Sequence, residues 1–117
     1  MGWFSRRRER KASGSIGAAG PSRADVEAAT AHLRQFVATR PGVEMYVEPR
    51  TAMTPTTVVL IATSGEWTRR RVSGPQAAGD LARSLGVPVY DVHQTGYPSR
   101  MREWTSRQRG SERDATG

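Results

Sequence analysis

The chain has 117 residues, a formal net charge of +7 and no cysteine, which excludes disulfides, thiolate metal sites and a cysteine nucleophile, and makes a reducing cytoplasm the expected compartment. That length holds one small domain plus ends. The charge lies in the ends: residues 24–96 carry seven Arg against seven acids, residues 1–23 six basic residues against one acid, and residues 97–117 five against three. A neutral domain with basic arms is suited to an anionic partner, which composition leaves open among nucleic acid, a membrane surface and an acidic protein.

Residues 1–21 are predicted to be a flexible basic arm, because Lys11 to Pro21 is made mostly of small residues that cannot form a core. Trp3 and Phe4 precede Arg6, Arg7, Arg8, Arg10 and Lys11, a pattern that fits a linear docking motif or a weak, reversible contact with an anionic membrane surface. A secretory signal is not expected, since no long apolar stretch follows Arg6–Arg8, and Arg6 stands where myristoylation of Gly2 would want Ser or Thr. Gly14, Gly17 and Gly20 have no strand before them and Pro21 after them, so they form neither a dinucleotide fingerprint nor a P-loop.

The folded domain is expected over 22–96. Ser22 with Asp25 resembles a capping box, and Val26, Ala29, Leu33, Phe36 and Val37 recur at helical spacing until Arg40-Pro41-Gly42. Val43, Met45 and Val47 alternate with Glu44, Tyr46 and Glu48, predicting a strand with one buried face, followed by a loop over Pro49–Pro55. Thr56–Thr63 is β-branched and apolar on both sides, as in a central strand, but the longest apolar run within it, Val58–Ala62, is too short to span a bilayer. Ser64-Gly65 reads as a two-residue hairpin loop into a third strand over Glu66–Val72, which places Trp67 opposite Ala62 and Arg69 opposite Leu60. Ser73, Pro75 and Gln76 signal the start of a second helix with an apolar stripe of Ala77, Ala78, Leu81, Ala82 and Leu85, closed by Gly86. Val87–Val92, with Pro88, is a fourth strand at an edge, running parallel to the third after a right-handed crossover. Residues 97–117 form a basic extension in which Ser99–Arg109 makes a short helix carrying Met101 and Trp104, with frayed last residues. The fold class is α+β, a single small domain in α-β-β-β-α-β order, with helices packed on a mostly antiparallel sheet.

Trp67, Arg69 and Arg71 share one face of the third strand, and Thr68 and Arg70 lie on the other. The Trp beside two guanidinium groups is either a platform for bases and phosphates or a core residue flanked by Arg stems that cover the sheet edge. Tyr90, Asp91, His93, Tyr97 and Arg100 follow one another after the last strand, where Asp91 could orient His93 as a general base; a solvated loop His is the plainer alternative. His32 reads as a surface residue. Two His and no Cys give no zinc pattern, and neither a metal nor a cofactor is expected.

Val47–Thr51, Gly65–Val72, Pro88–Val92 and Gly96–Arg102 resemble segments of a family of small actinobacterial proteins, some labelled oxidoreductases, which implies an actinobacterial origin and no established catalytic residues. The element order is similar to the restriction-endonuclease-like core, whose metal site takes an acid on the second strand and an Asp/Glu-x-Lys on the third. Here Thr56–Thr63 contains no acid, and Glu66 is followed by Trp67-Thr68. The first five elements also resemble a double-stranded-RNA-binding domain, with Gly74-Pro75-Gln76-Ala77 in place of that family's Lys-rich helix start.

The expectation is therefore a non-enzymatic domain that binds nucleic acid or a ribonucleoprotein. Arg6, Arg7, Arg8, Arg10, Lys11, Arg69, Arg70, Arg71, Arg100 and Arg102 would meet phosphates, and Trp67 would stack. Two alternatives stand beside it: a protein-interaction adaptor docking through Trp3/Phe4 or Met101/Trp104, and an enzyme acting near Asp91, His93 and Tyr97.

Overall fold

The computed structural model describes residues 22–116, with side chains through residue 111. The N-terminal arm, with Trp3, Phe4, Arg6, Arg7, Arg8, Arg10 and Lys11, lies outside the described residues.

Helix α1 spans Arg23–Thr39. Its start is the expected capping box: the Asp25 N–H donates to Ser22 Oγ at 3.0 Å, and the Ser22 N–H donates back to Asp25 Oδ2 at 3.4 Å. Pro41 ends it, having no N–H to give and a ring that blocks the preceding turn. Strands β1 (Glu44–Glu48), β2 (Thr57–Ile61) and β3 (Trp67–Arg71) follow, then α2 (Pro75–Leu85), β4 (Val89–Asp91), a one-turn helix α3 (Val92–Thr95) and α4 (Ser99–Thr116). The expected order α-β-β-β-α-β holds through β4, and α4 runs well beyond the short helix expected over Ser99–Arg109. The start of α2 differs from expectation. Gly74 is its N-cap and no side chain caps it, so Ser73 and Gln76 form no capping box; Gly86 does close it, in the left-handed conformation.

The sheet is mixed, with strand order β3-β2-β1-β4. β2 pairs antiparallel with both β1 and β3, and β4 pairs parallel with β1. β4 thus points along β3, as expected, but sits on the far side of the sheet. α2 packs Ala78 and Ala82 over the β1–β2 core and delivers the chain to the free edge of β1.

The hairpin register also differs from expectation by one residue. Trp67 faces Ile61 and Arg69 faces Val59, not Ala62 and Leu60. The loop has three residues, Thr63 to Gly65: the Ala62 N–H donates to the Glu66 carbonyl at 2.9 Å and the Gly65 N–H to the Ala62 carbonyl at 2.9 Å. Gly65 adopts φ of 96°, a conformation that side chains with a Cβ rarely take. Because side chains alternate with period two, this single residue moves Trp67, Arg69 and Arg71 to the opposite face of the sheet.

One face, formed by Met45, Val58 and Leu60, is buried with Leu33 and Phe36 of α1 and Ala78 and Ala82 of α2. The other, formed by Tyr46, Val59 and Ile61, is buried under Met101 of α4, with Trp67 half-buried beside it. Among the described residues no helix is long and apolar enough to cross a membrane.

Candidate functional site

The Arg-rich strand β3 and the helix α4 carry most of the residues singled out from the sequence, and their side chains divide into used and unused groups. Trp67 donates from Nε1 to Thr105 Oγ1 at 3.1 Å, and its ring packs on the cluster under α4. Arg69 lies over that ring, with its guanidinium carbon 5.2 Å from the centroid. It also donates from Nε and Nη2 to the two carboxylate oxygens of Glu48, both at 2.8 Å. A bidentate pair of this kind holds its geometry tightly, so the Trp67–Arg69 platform is occupied from within.

Arg70 points to the opposite face. Its Nη1 donates to the Arg69 carbonyl at 2.7 Å and to Thr68 Oγ1 at 3.4 Å, its Nε is buried with no acceptor, and burial lowers its pKa. Arg100 ties α4 to the sheet, donating from Nε to the Ala62 carbonyl at 2.9 Å and from Nη2 to Glu44 Oε1 at 2.7 Å. The Arg100 contact lowers the Glu44 pKa. Gly65 lets this packing happen, because a methyl group there would run into the Arg100 carbonyl oxygen and Trp104 Cβ.

Arg71 and Arg102 are exposed and make no hydrogen bond or ion pair with described residues, and Arg109 shares that state. Arg102 belongs to the outward stripe of α4, where Ser99, Arg102, Glu103, Ser106 and Arg107 border a shallow recess of about 500 Å³. Arg107 reaches from this stripe to the Ser64 carbonyl at 3.1 Å. Met101, offered with Trp104 as an alternative docking face, is buried against the sheet, while Trp104 is half-buried.

A second cluster gathers around Glu48, at the end of β1. Besides Arg69, its carboxylate accepts from the Thr57 hydroxyl through Oε1 and from the Tyr97 hydroxyl through Oε2. Burial pushes the Glu48 pKa up, but the hydrogen bonds from Arg69, Thr57 and Tyr97 outweigh it and hold the group down at about 2. Such a carboxylate stays ionised at neutral pH with every oxygen committed, and so cannot serve as a general base. Burial, helped by the contact with Glu48, raises the Tyr97 pKa.

The Asp91 carboxylate, offered as a possible orienter of His93, is used as a helix cap. Asp91 Oδ1 accepts the His93 backbone N–H at 2.7 Å as the N-cap of α3, leaving the imidazole unoriented by it. Tyr90 stacks on Tyr46, with centroids 5.3 Å apart, and Arg100 is held at Glu44, so the five residues that follow one another in sequence disperse. His93 and Tyr97 do converge, along with Glu48, Thr57 and Arg69, on a recess of about 460 Å³ beneath the loop between β1 and β2. Glu44, Glu48 and Thr57 are site residues that no motif in the sequence marks. The alternation of β1 puts Glu44 and Glu48 on one face, but their arginine partners, Arg100 of α4 and Arg69 two strands away, are set by topology. Among the described residues no three His, Asp or Glu side chains gather as a metal-binding group.

Comparison of the chain with protein-family models, with curated proteins and with solved structures finds no match.

Proposed function

We propose that this protein is a non-enzymatic cytoplasmic domain that binds nucleic acid, alone or in a ribonucleoprotein, through guanidinium groups that the fold leaves unpaired. The observation that carries this reading is the division among the arginines. Arg69 and Arg100 are clamped by carboxylates, whereas Arg71, Arg102 and Arg109 are exposed without acceptors among the described residues. Holding an arginine free of acids on a surface that contains them favours an external anion, and phosphate oxygens match the planar donor fork. The contact surface then shifts from the Trp67–Arg69 platform to α4 and the exposed end of β3, with the basic arm adding sequence-independent attraction. Trp67, tied to Thr105, contributes packing in place of base stacking.

The test is a fluorescence-anisotropy titration of labelled single- and double-stranded DNA and RNA with the full chain at several salt concentrations. Binding should be tightest at low salt and fall log-linearly as salt rises. The double variant R102A/R109A should weaken every sequence alike and reduce the salt slope by about two, one for each phosphate that no longer meets a guanidinium. Absence of binding at low salt, or binding indifferent to salt, would refute the reading.

A further inference from the structure

The recess beside Glu48 has the attributes of a preformed small-molecule site. Its volume of about 460 Å³ falls within the roughly 300–1,000 Å³ typical of ligand pockets. Apolar surface comes from Pro49, Pro55, Val92 and the Tyr97 ring, which lie along its lining.

Each side of the recess is fixed before any ligand arrives. On the loop side, Thr51 Oγ1 accepts from the Met53 and Thr54 N–H groups at 3.1 and 3.0 Å, and the Thr51 N–H donates to the Thr54 carbonyl at 2.9 Å. On the α3 side, the Asp91 cap and the Gly96 N–H, donated to the Val92 carbonyl at 2.8 Å, hold the turn that carries His93. Across the base, the four hydrogen bonds to Glu48 tie β1, β2, β3 and Tyr97 together. A site with this little freedom loses little entropy on binding.

Its polar lining divides into threonine hydroxyls, which can donate or accept, and nitrogen donors. Glu48 is neutralised by Arg69 and its oxygens are filled, so it offers an incoming group neither an acceptor nor an unscreened charge. Arg69 commits Nε and Nη2 to Glu48, which leaves the Nη1 donors, and the exposed His93 ring has no partner among the described residues. Nitrogen donors and hydrocarbon lining the same recess suit a ligand with an acceptor group on an apolar body.

We propose that this recess binds a small molecule made of a planar apolar ring bearing one carboxylate or phosphate, with the anionic group at Arg69 Nη1 and His93 and the ring between Pro49, Pro55, Val92 and Tyr97. This site is separate from the α4 surface assigned to nucleic acid, and neither depends on the other.

The experiment is an amide-resolved NMR titration of the full chain with benzoate, phenyl phosphate and, as the uncharged control, benzyl alcohol. Saturable shifts should appear at residues 48–57 and 92–97 with at least one of the two anions, the tighter of them identifying the headgroup. Benzyl alcohol should bind about tenfold or more weakly, the usual scale for removing a charge-assisted hydrogen bond. H93A alters an exposed side chain and should keep the native spectrum while weakening the anion several-fold. Equal binding of benzyl alcohol, shifts confined to the arginines of α4, no saturable shift with either anion, or an H93A affinity equal to that of the parent would each overturn the proposal.

Discussion

On one face of the sheet, Met45, Val58 and Leu60 meet Leu33, Phe36, Ala78 and Ala82, hydrocarbon against hydrocarbon. On the other, Tyr46, Val59 and Ile61 meet Met101, and the rim is stitched by Glu44–Arg100, Glu48–Arg69, Trp67–Thr105 and Tyr97–Glu48. The first face is held by burial, which is non-directional and indifferent to pH. The second depends on directed contacts between charged and polar groups, so it responds to acid and can be edited one contact at a time. The first face has one such contact at its rim, Arg40 over Phe36 and paired with Glu66, whereas the second has several.

The contrast can be broken most sharply at Leu60, which is fully buried on the hydrocarbon face. Leu60→Ala should cost about 2–5 kcal/mol, read as a lower urea midpoint at every pH. Next comes the seam of α4. Gly65→Ala forces a Cβ into the Arg100 backbone at a positive φ, and should cost about 2 kcal/mol or more, with a change in tryptophan emission as the packing of Trp67 and Trp104 loosens.

Acid sharpens the comparison. The folded Glu48 pKa of about 2 lies below the ordinary 4.5, so its contribution is complete above about pH 4.5 and is lost as pH falls towards 2. Between pH 7 and pH 3 this amounts to about 1–2 kcal/mol, and Glu48→Gln should flatten that part of the stability–pH curve. Glu44 and Glu66, lowered by Arg100 and Arg40, add slopes of the same sign. Asp91→Ala removes the cap of α3 and should cost about 1 kcal/mol, with faster amide exchange confined to residues 92–96. Smallest of all is Arg83→Ala, which deletes an exposed pair with Asp80 and should change stability by about 0.5 kcal/mol or less.

Much of the architecture was legible because it rests on local signals: the Ser22–Asp25 cap, the alternation from Val43 to Glu48, the β-branched run at Val58–Ile61 and the left-handed Gly86. The face of the sheet on which β3 displays its arginines was not. It turns on whether the hairpin loop counts two residues or three, and Ser64-Gly65 satisfies either. Adjacency of Asp91 and His93 leaves two readings open, and the structure takes a third, a helix cap in which the carboxylate accepts a backbone N–H two residues on. The length of α4 is hard to read because its polarity hides a short apolar contact, Met101 against Tyr46, Val59 and Ile61. The Glu48 cluster draws on β1, β2, β3 and the segment after α3, and such convergence is set by topology that periodicity does not encode.

Among the described residues β3 is the last strand of the sheet, and its outer edge carries backbone donors and acceptors that no described strand takes up. A row of that kind is an invitation to add a strand from another molecule, the first step of edge-to-edge aggregation. Arg69, Arg70 and Arg71 place positive charge on both sides of that edge, so a second copy arriving in register would bring like charges together. The three consecutive arginines would thereby oppose such pairing, even though Arg69 is also paired with Glu48.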